Sequence, residues 1–293
     1  MLRITPSPAD TPAACGAELM NVLAYLKPGA NRLKLGAGRF EIGDVKTNFY
    51  LPPVKLEGEG MDDTVIATAS CVGVNLGCAF ELIDGATLAG MTLDNTTKGQ
   101  SCAVGFGRIQ PKADGTPVLG NQKAELVDVR TLAATFGIYN WAGGGNLLKV
   151  TRGETWFARW GVTQGVSSGP AAGTIELLGH RLYGRPDRGE AHGAYGDRVV
   201  GIVGRGGRIK AHAIVISVFG DPTIEVVRGA WTYWGKSATI DLFDPTISVV
   251  PAGAKFHTDC EEELGAINLF AGRGTGINGA VVKAPSGAPA ATA

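Results

Sequence analysis

The sequence predicts an all-β solenoid, and three observations carry that expectation. Glycine is 44 of 293 residues, about twice ordinary usage, so the chain turns often or packs its backbone closely. Short apolar runs broken by glycine dominate the chain after residue 31. Leu33-Lys34-Leu35, Val54-Lys55-Leu56 and the region of Leu82 recur at intervals of roughly 20 to 28 residues, the spacing of one solenoid turn. A β-sandwich or jelly roll is the alternative, because it too consists of many short strands.

The elements follow in chain order. Residues 1–30 form an arm and a helix. Thr11 is suited to cap the helix and Pro12 to occupy its first position, while Leu19, Val22, Leu23 and Leu26 lie on one apolar face. Pro28-Gly29 stops it. Residues 31–282 form the body. Its first strands are LKLGAGRFEI (33–42), VKLEGEG (54–60), TVIAT (64–68) and FELIDGATLAGMTLDN (80–95), the last turning at Asp84-Gly85. Residues 96–124 are polar and glycine-rich and read as a projecting loop or hairpin. Strands resume at 124–129, 146–151, 174–179, 198–204, 209–220, 223–229, 238–243 and 246–251, with aromatic or glycine-rich turns between them. The tail KAPSGAPAATA (283–293) is low-complexity and linker-like.

The opening helix, then LKLGAGRFEIGD, VKLEGEGMDDTVIA and IDGATLAGMTLDN, resembles the start of right-handed parallel β-helix proteins of the pectate-lyase-like superfamily. The likeness covers residues 14–95 well; beyond 125 only the strand rhythm agrees. It implies a β-helix whose first turn is covered by the helix. It also implies the company the fold keeps, namely bacteriophage spike and fibre proteins, polysaccharide lyases and hydrolases, and adhesin-like modules. A fold alone does not choose among these.

Composition excludes several classes. Lys plus Arg and Asp plus Glu are both 27, so formal charge is zero, unlike the basic excess of a polyanion binder; no nucleic-acid partner is expected. Charged residues are only 18%, below the roughly 25% of ordinary domains, which suits burial between subunits. No apolar run of membrane-spanning length occurs, so membrane insertion is not expected. The five cysteines, Cys15, Cys71, Cys78, Cys102 and Cys260, are odd in number and lack a C-x-x-C pair, so they read as small buried residues. No metal and no cofactor is expected. GAG (36–38), GRGG (204–207) and GRGTGING (272–279) do not bridge a strand and a helix as nucleotide loops do.

The densest polar stretch runs from His180 to Arg198 and also includes Arg181. In a lyase, Arg185 or Arg188 would hold a uronate carboxylate and Glu190 or His192 would move protons; in a glycosidase Asp187 and Glu190 would be the carboxylate pair. The structural alternative is a solvated loop. Trp141, Trp156, Trp160, Trp231, Tyr233 and Trp234 are expected either at a glycan or protein interface or in the core. Asp62-Asp63 reads first as a turn, as do Asp241, Asp244, Asp259 and Glu261–Glu263. The four histidines lack metal-ligand spacing, and His212 reads as a partly buried strand residue.

The expectation from these readings is a virion structural protein: a bacteriophage spike, fibre or decoration subunit that associates with copies of itself and other virion proteins. Contact with a cell-surface polysaccharide is a further possible partner. MLRITPSPADTP lacks a secretory pattern, which fits assembly in the host cytoplasm; with a leader removed, the location would be extracellular. The alternatives are a polysaccharide lyase or glycoside hydrolase on the same scaffold, and a non-catalytic carbohydrate-binding module.

Overall fold

A computed structural model describes residues 2–26, 32–43, 50–68, 77–96, 101–107, 122–133, 135–140, 145–165, 173–184, 198–219, 226–232, 238–250, 259–260, 265–270 and 273–275. The described residues are all-β apart from one helix, Pro12–Tyr25. The hydroxyl of Thr11 accepts from the Ala14 amide at 3.2 Å, with Pro12 in the first turn, as the sequence predicts. Cys15, Gly16, Leu19 and Leu23 form the buried face. Gly16 is required there: a β-carbon would lie 1.8 Å from the Glu41 carbonyl oxygen, so the helix rests directly on the backbone of Gly38–Glu41.

Every strand pairing among the described residues is parallel. The sandwich and jelly-roll alternatives, which are antiparallel, are not what the chain forms. Among the described residues one sheet has 17 strands and another has eight. The larger sheet runs as two series. The first is Leu2–Ile4, Arg32–Leu35, Lys55–Glu57, Thr87–Asn95, Lys123–Ala133, Leu147–Thr151, Thr174–Leu178, Gly207–His212, Ala238–Phe243 and Ala266–Phe270. The second is Gly38–Glu41, Thr64–Ala67, the same two long strands, then Glu154–Phe157, Arg181–Gly184, Val215–Phe219, Thr246–Val250 and Arg273–Thr275. The eight-stranded sheet is Tyr50–Leu51, Gly77–Leu82, Ser101–Phe106, Phe136–Asn140, Trp160–Gln164, Arg198–Gly204, Val226–Thr232 and Asp259–Cys260.

Parallel register turns sequence alternation into columns of like side chains. Leu33, Leu56, Leu88, Leu126, Val150, Leu177, Ala211 and Leu242 form one buried column. Leu148, Ile175, Ile209, Ile240 and Ile267 form the next, and Phe80, Val104, Ile138, Val162, Ile202 and Ala230 line the eight-stranded sheet. Each fully buried aliphatic side chain contributes about 1.5–3 kcal/mol. Between the first and second series the chain turns through one left-handed residue, which is Gly90, Asp128, Arg152, Gly179, Ala213 or Asp244 at successive levels, with φ between 48° and 60°. Only two of the six are glycine, so this corner leaves little trace in composition.

The structure corrects three expectations. The stacking interval runs beyond the expected 20 to 28 residues: Leu33 to Leu56 is 23, but Leu88 to Leu126 is 38 and Val162 to Ile202 is 40. Leu82 stacks on Leu51 and Phe106 in the eight-stranded sheet, not on Leu56. The segment read as a projecting loop, 96–124, contains the strand Ser101–Phe106, which pairs with Gly77–Leu82 and Phe136–Asn140. The glycine that disguised it, Gly105, is there because a β-carbon would meet the Glu81 carboxylate at 2.0 Å. The remainder of that loop at 97–100 and 108–121, and the tail, lie outside the described residues.

Candidate functional site

The second series of the large sheet presents alternate residues outward. In Glu154–Phe157 and Arg181–Gly184, Thr155, Phe157, Leu182 and Gly184 are buried, while Glu154, Trp156, Arg181 and Tyr183 face out. Register sets Arg130, Glu154 and Arg181 in one outer column and Leu132, Trp156, Tyr183, Ser217 and Ser248 in the adjacent one. Arg130 donates to Glu154 through Nε and to Asp62 Oδ1 at 2.7 Å. Burial works against the Arg130 charge, but the bonds to Asp62 and Glu154 outweigh it and hold its pKa above the usual arginine value. Asp62, expected above in a turn, is therefore also an ion-pair partner of Arg130. Asp63 belongs to the turn at Gly60, whose carbonyl accepts from the amides of Asp63 and Thr64.

Arg181 has a different environment. Its side chain is exposed, and it makes no side-chain hydrogen bond or ion pair among the described residues. Two positions along, the Tyr183 ring packs on Trp156 with centroids 4.6 Å apart and planes inclined 32°.

Directly beneath this face lies a buried polar chain. Thr131 and Thr155 interrupt the inner column that continues from Leu93 to Leu182, and His180, 1% exposed, lies against them. His180 Nδ1 lies 2.7 Å from the Arg152 carbonyl, which can only accept, so Nδ1 carries the proton. Nε2 therefore accepts from the Thr155 hydroxyl at 2.9 Å, and Thr155 accepts from Thr131 at 2.9 Å. Burial is the main influence on His180; it outweighs the Arg152 carbonyl and the Glu154 charge and pushes the pKa down to about 4.

The tryptophans divide. Trp160 and Trp231 are 4% and 0% exposed and belong to one cluster with Phe136, Tyr139, Val200 and Val203 on the eight-stranded sheet. Arg205 donates to the Tyr139 hydroxyl at 2.6 Å and lies over the Trp160 ring, and Arg228 lies over Trp231. Both indoles thus serve the packing of this chain, and neither offers a surface to a ligand or partner. Trp156 alone among the described tryptophans is partly exposed. Trp141, Tyr233 and Trp234 lie outside the described residues, as do all five candidates Arg185, Asp187, Arg188, Glu190 and His192.

Other candidates resolve individually. His212 is exposed, not partly buried as the strand pattern suggested; it stacks on Phe243 at 4.3 Å, and Phe243 stacks on Phe270 at 4.6 Å. The ring planes are nearly parallel, so these rings occupy one another's faces and direct edges to water. Asp241 is buried, accepting from Arg208 at 2.6 Å and Asn268 at 2.7 Å. Asp244 is a left-handed corner residue. Cys15, Cys78 and Cys102 are buried free thiols, as expected; burial raises the Cys15 pKa. Among the described residues no group of three or more His, Cys, Asp or Glu is placed to hold a metal, and no helix is long and apolar enough to cross a membrane.

Tyr183, Ser217 and Ser248 were not singled out in the sequence. The intervals from Trp156 to Tyr183 and from Tyr183 to Ser217 differ, so no fixed period aligns them; only strand register reveals their column. Comparison with protein-family models, curated proteins and solved structures finds no match, so function rests on this geometry.

Proposed function

We propose that the chain winds as a right-handed parallel β-helix of the pectate-lyase-like kind and serves as a structural subunit of a virion, a bacteriophage spike, fibre or decoration protein that also meets host glycan. The observation that carries this reading is the run of parallel strands in three stacked series, each strand bonded on both edges for most of the body's length. Such stacking resists bending, because every strand transmits load to its neighbours through a full ladder of backbone hydrogen bonds. The outer face of the first series supports the same role. Glu125, Lys149, Glu176, Lys210 and Asp241 alternate in sign along one column, so charge cancels locally. Beside it Leu178, Phe270 and His212 are exposed, an apolar strip suited to a neighbouring subunit. The partners in this reading are copies of the chain and other virion proteins, with assembly in the host cytoplasm.

Two measurements test it. Light scattering of the purified protein is expected to give a discrete oligomer, and mass spectrometry of purified particles to find the chain at high, symmetric copy number. A monomer that releases unsaturated uronate or new reducing ends from acidic polysaccharides would replace this reading with the enzyme.

A further inference from the structure

We infer that Cys78 and Cys102 are a site of covalent modification: under oxidising conditions they join in a disulfide that ties two successive levels of the eight-stranded sheet. The inference goes beyond the virion reading and holds whatever the chain assembles with. Cys78 lies in Gly77–Leu82 and Cys102 in Ser101–Phe106, and the parallel register sets the two α-carbons directly opposite each other. Register partners in a parallel pair turn the same way. Both side chains enter one buried cluster, and their column continues to Phe136 and Trp160. Neighbouring strands lie about 4.8 Å apart, inside the span of about 4.4–6.8 Å that a disulfide bridges between α-carbons. The Cys78 sulfur already leans toward the level of Cys102: a β-carbon on Gly105, in the same strand as Cys102, would lie 2.7 Å from it. Both residues are 0% exposed, and both are thiols in this structure. The ladder fixes the two backbones, so closing the bond asks for side-chain rotation and no change of register.

Glutathione disulfide is a sufficient oxidant. One cysteine, as thiolate, attacks a glutathione sulfur and displaces the first glutathione. The other then attacks the protein sulfur of the mixed disulfide and displaces the second. The pair loses two electrons to glutathione disulfide, and both thiol protons end on the two glutathione molecules released. Burial disfavours the thiolate and keeps the sulfurs out of reach, so exchange awaits local opening of these strands and is slow. A reducing compartment keeps the pair open and an oxidising one closes it. The bond closes a loop of about 24 residues, which restricts the unfolded chain and so favours the folded one. Cys15, on the buried face of the helix, belongs to a different cluster and serves as the control.

The test is prolonged incubation of the full, folded chain with glutathione disulfide, then denaturation in an alkylating agent, trypsin digestion and mass spectrometry. Trypsin cuts after Lys98, so the bridge joins the peptide 56–98 to the peptide 99–108. The expected result is that linked pair, lighter than the two peptides by two hydrogens, from protein that runs as a single chain on a non-reducing gel. Cys15 is expected to be alkylated, and dithiothreitol to reverse the link. Cys71 shares the first peptide and lies outside the described residues. Cys71→Ala is therefore expected to keep the link, whereas Cys78→Ala and Cys102→Ala lose it. Thermal melts establish that each variant is folded, and are expected to place the bridged protein about 5 °C or more above the reduced one. Glutathione held on Cys78 or Cys102 with no link, both cysteines still alkylated, a link that survives Cys78→Ala, or a bridged protein that melts below the reduced one would each overturn the inference, whatever the copy number in particles.

Discussion

The buried His180 makes stability depend on pH in a direction and window that can be calculated. The ring is neutral in the folded state, held between the Arg152 carbonyl and the Thr155 hydroxyl, with its pKa lowered from 6.5 to about 4. Above pH 6.5 the ring is neutral in both folded and unfolded chains and contributes no pH dependence. Below 6.5 the unfolded chain binds a proton that the folded chain refuses, so stability falls as pH falls, until the folded ring itself protonates near pH 4. At about 1.4 kcal/mol per pH unit, this window amounts to about 3 kcal/mol. Urea unfolding of the native chain and of His180→Gln at pH 7, 6, 5 and 4 measures it. Carboxylates titrate at the lower end in both proteins, so the difference between the two curves isolates the histidine. The native protein should lose about 3 kcal/mol more than the variant between pH 7 and pH 4. Equal losses would refute the reasoning, and so would a His180 ring resonance titrating near 6.5 in the folded native protein, a measurement that does not depend on the variant folding.

Three further outcomes follow from packing. Gly16→Ala should destabilise the protein by about 1–3 kcal/mol in thermal or urea melts, although alanine is the better helix former, because its β-carbon would meet the Glu41 carbonyl. Leu23→Asp puts a carboxylate on the helix's buried face and should expose the strands beneath to self-association, read as aggregation by light scattering; a soluble, fully folded variant would show that the helix is not a cover. Asp241→Ala should cost about 1–3 kcal/mol, since it leaves Arg208 and Asn268 without their shared buried acceptor, and Asp241→Asn should recover part of the loss.

Local patterns were legible where they obey local rules. Thr11, Pro12 and the Leu19–Leu23 face define the helix from within one segment, and the alternation in LKL, VKL and IKAHAIVI reports which side chains turn inward. The turns hid more. Four of the six corner residues with left-handed φ are not glycine, and Arg152 and Ala213 are not turn formers at all, so glycine spacing did not mark the corner. The segment TWFARWG (155–161), whose Trp156 and Trp160 were expected at an interface or in the core, is the end of Glu154–Phe157 and the start of Trp160–Gln164, with buried Arg159 between. Apolar aromatic spacing alone did not tell a packed Trp160 or Trp231 from an exposed one.

The sequence by itself therefore determined the class: glycine-punctuated alternating segments and one capped helix, with balanced charge and no framework of cysteines. Those properties are set by neighbours a few residues apart. Tertiary structure alone decided which residues meet. Levels of 23 to 40 residues destroy any fixed period, and only hydrogen-bonded register sets His180 against Thr155 or Tyr183 beside Ser217. The physical reason is that a parallel ladder aligns backbones without regard to the length of chain between them, so the intervening residues can vary while the columns persist.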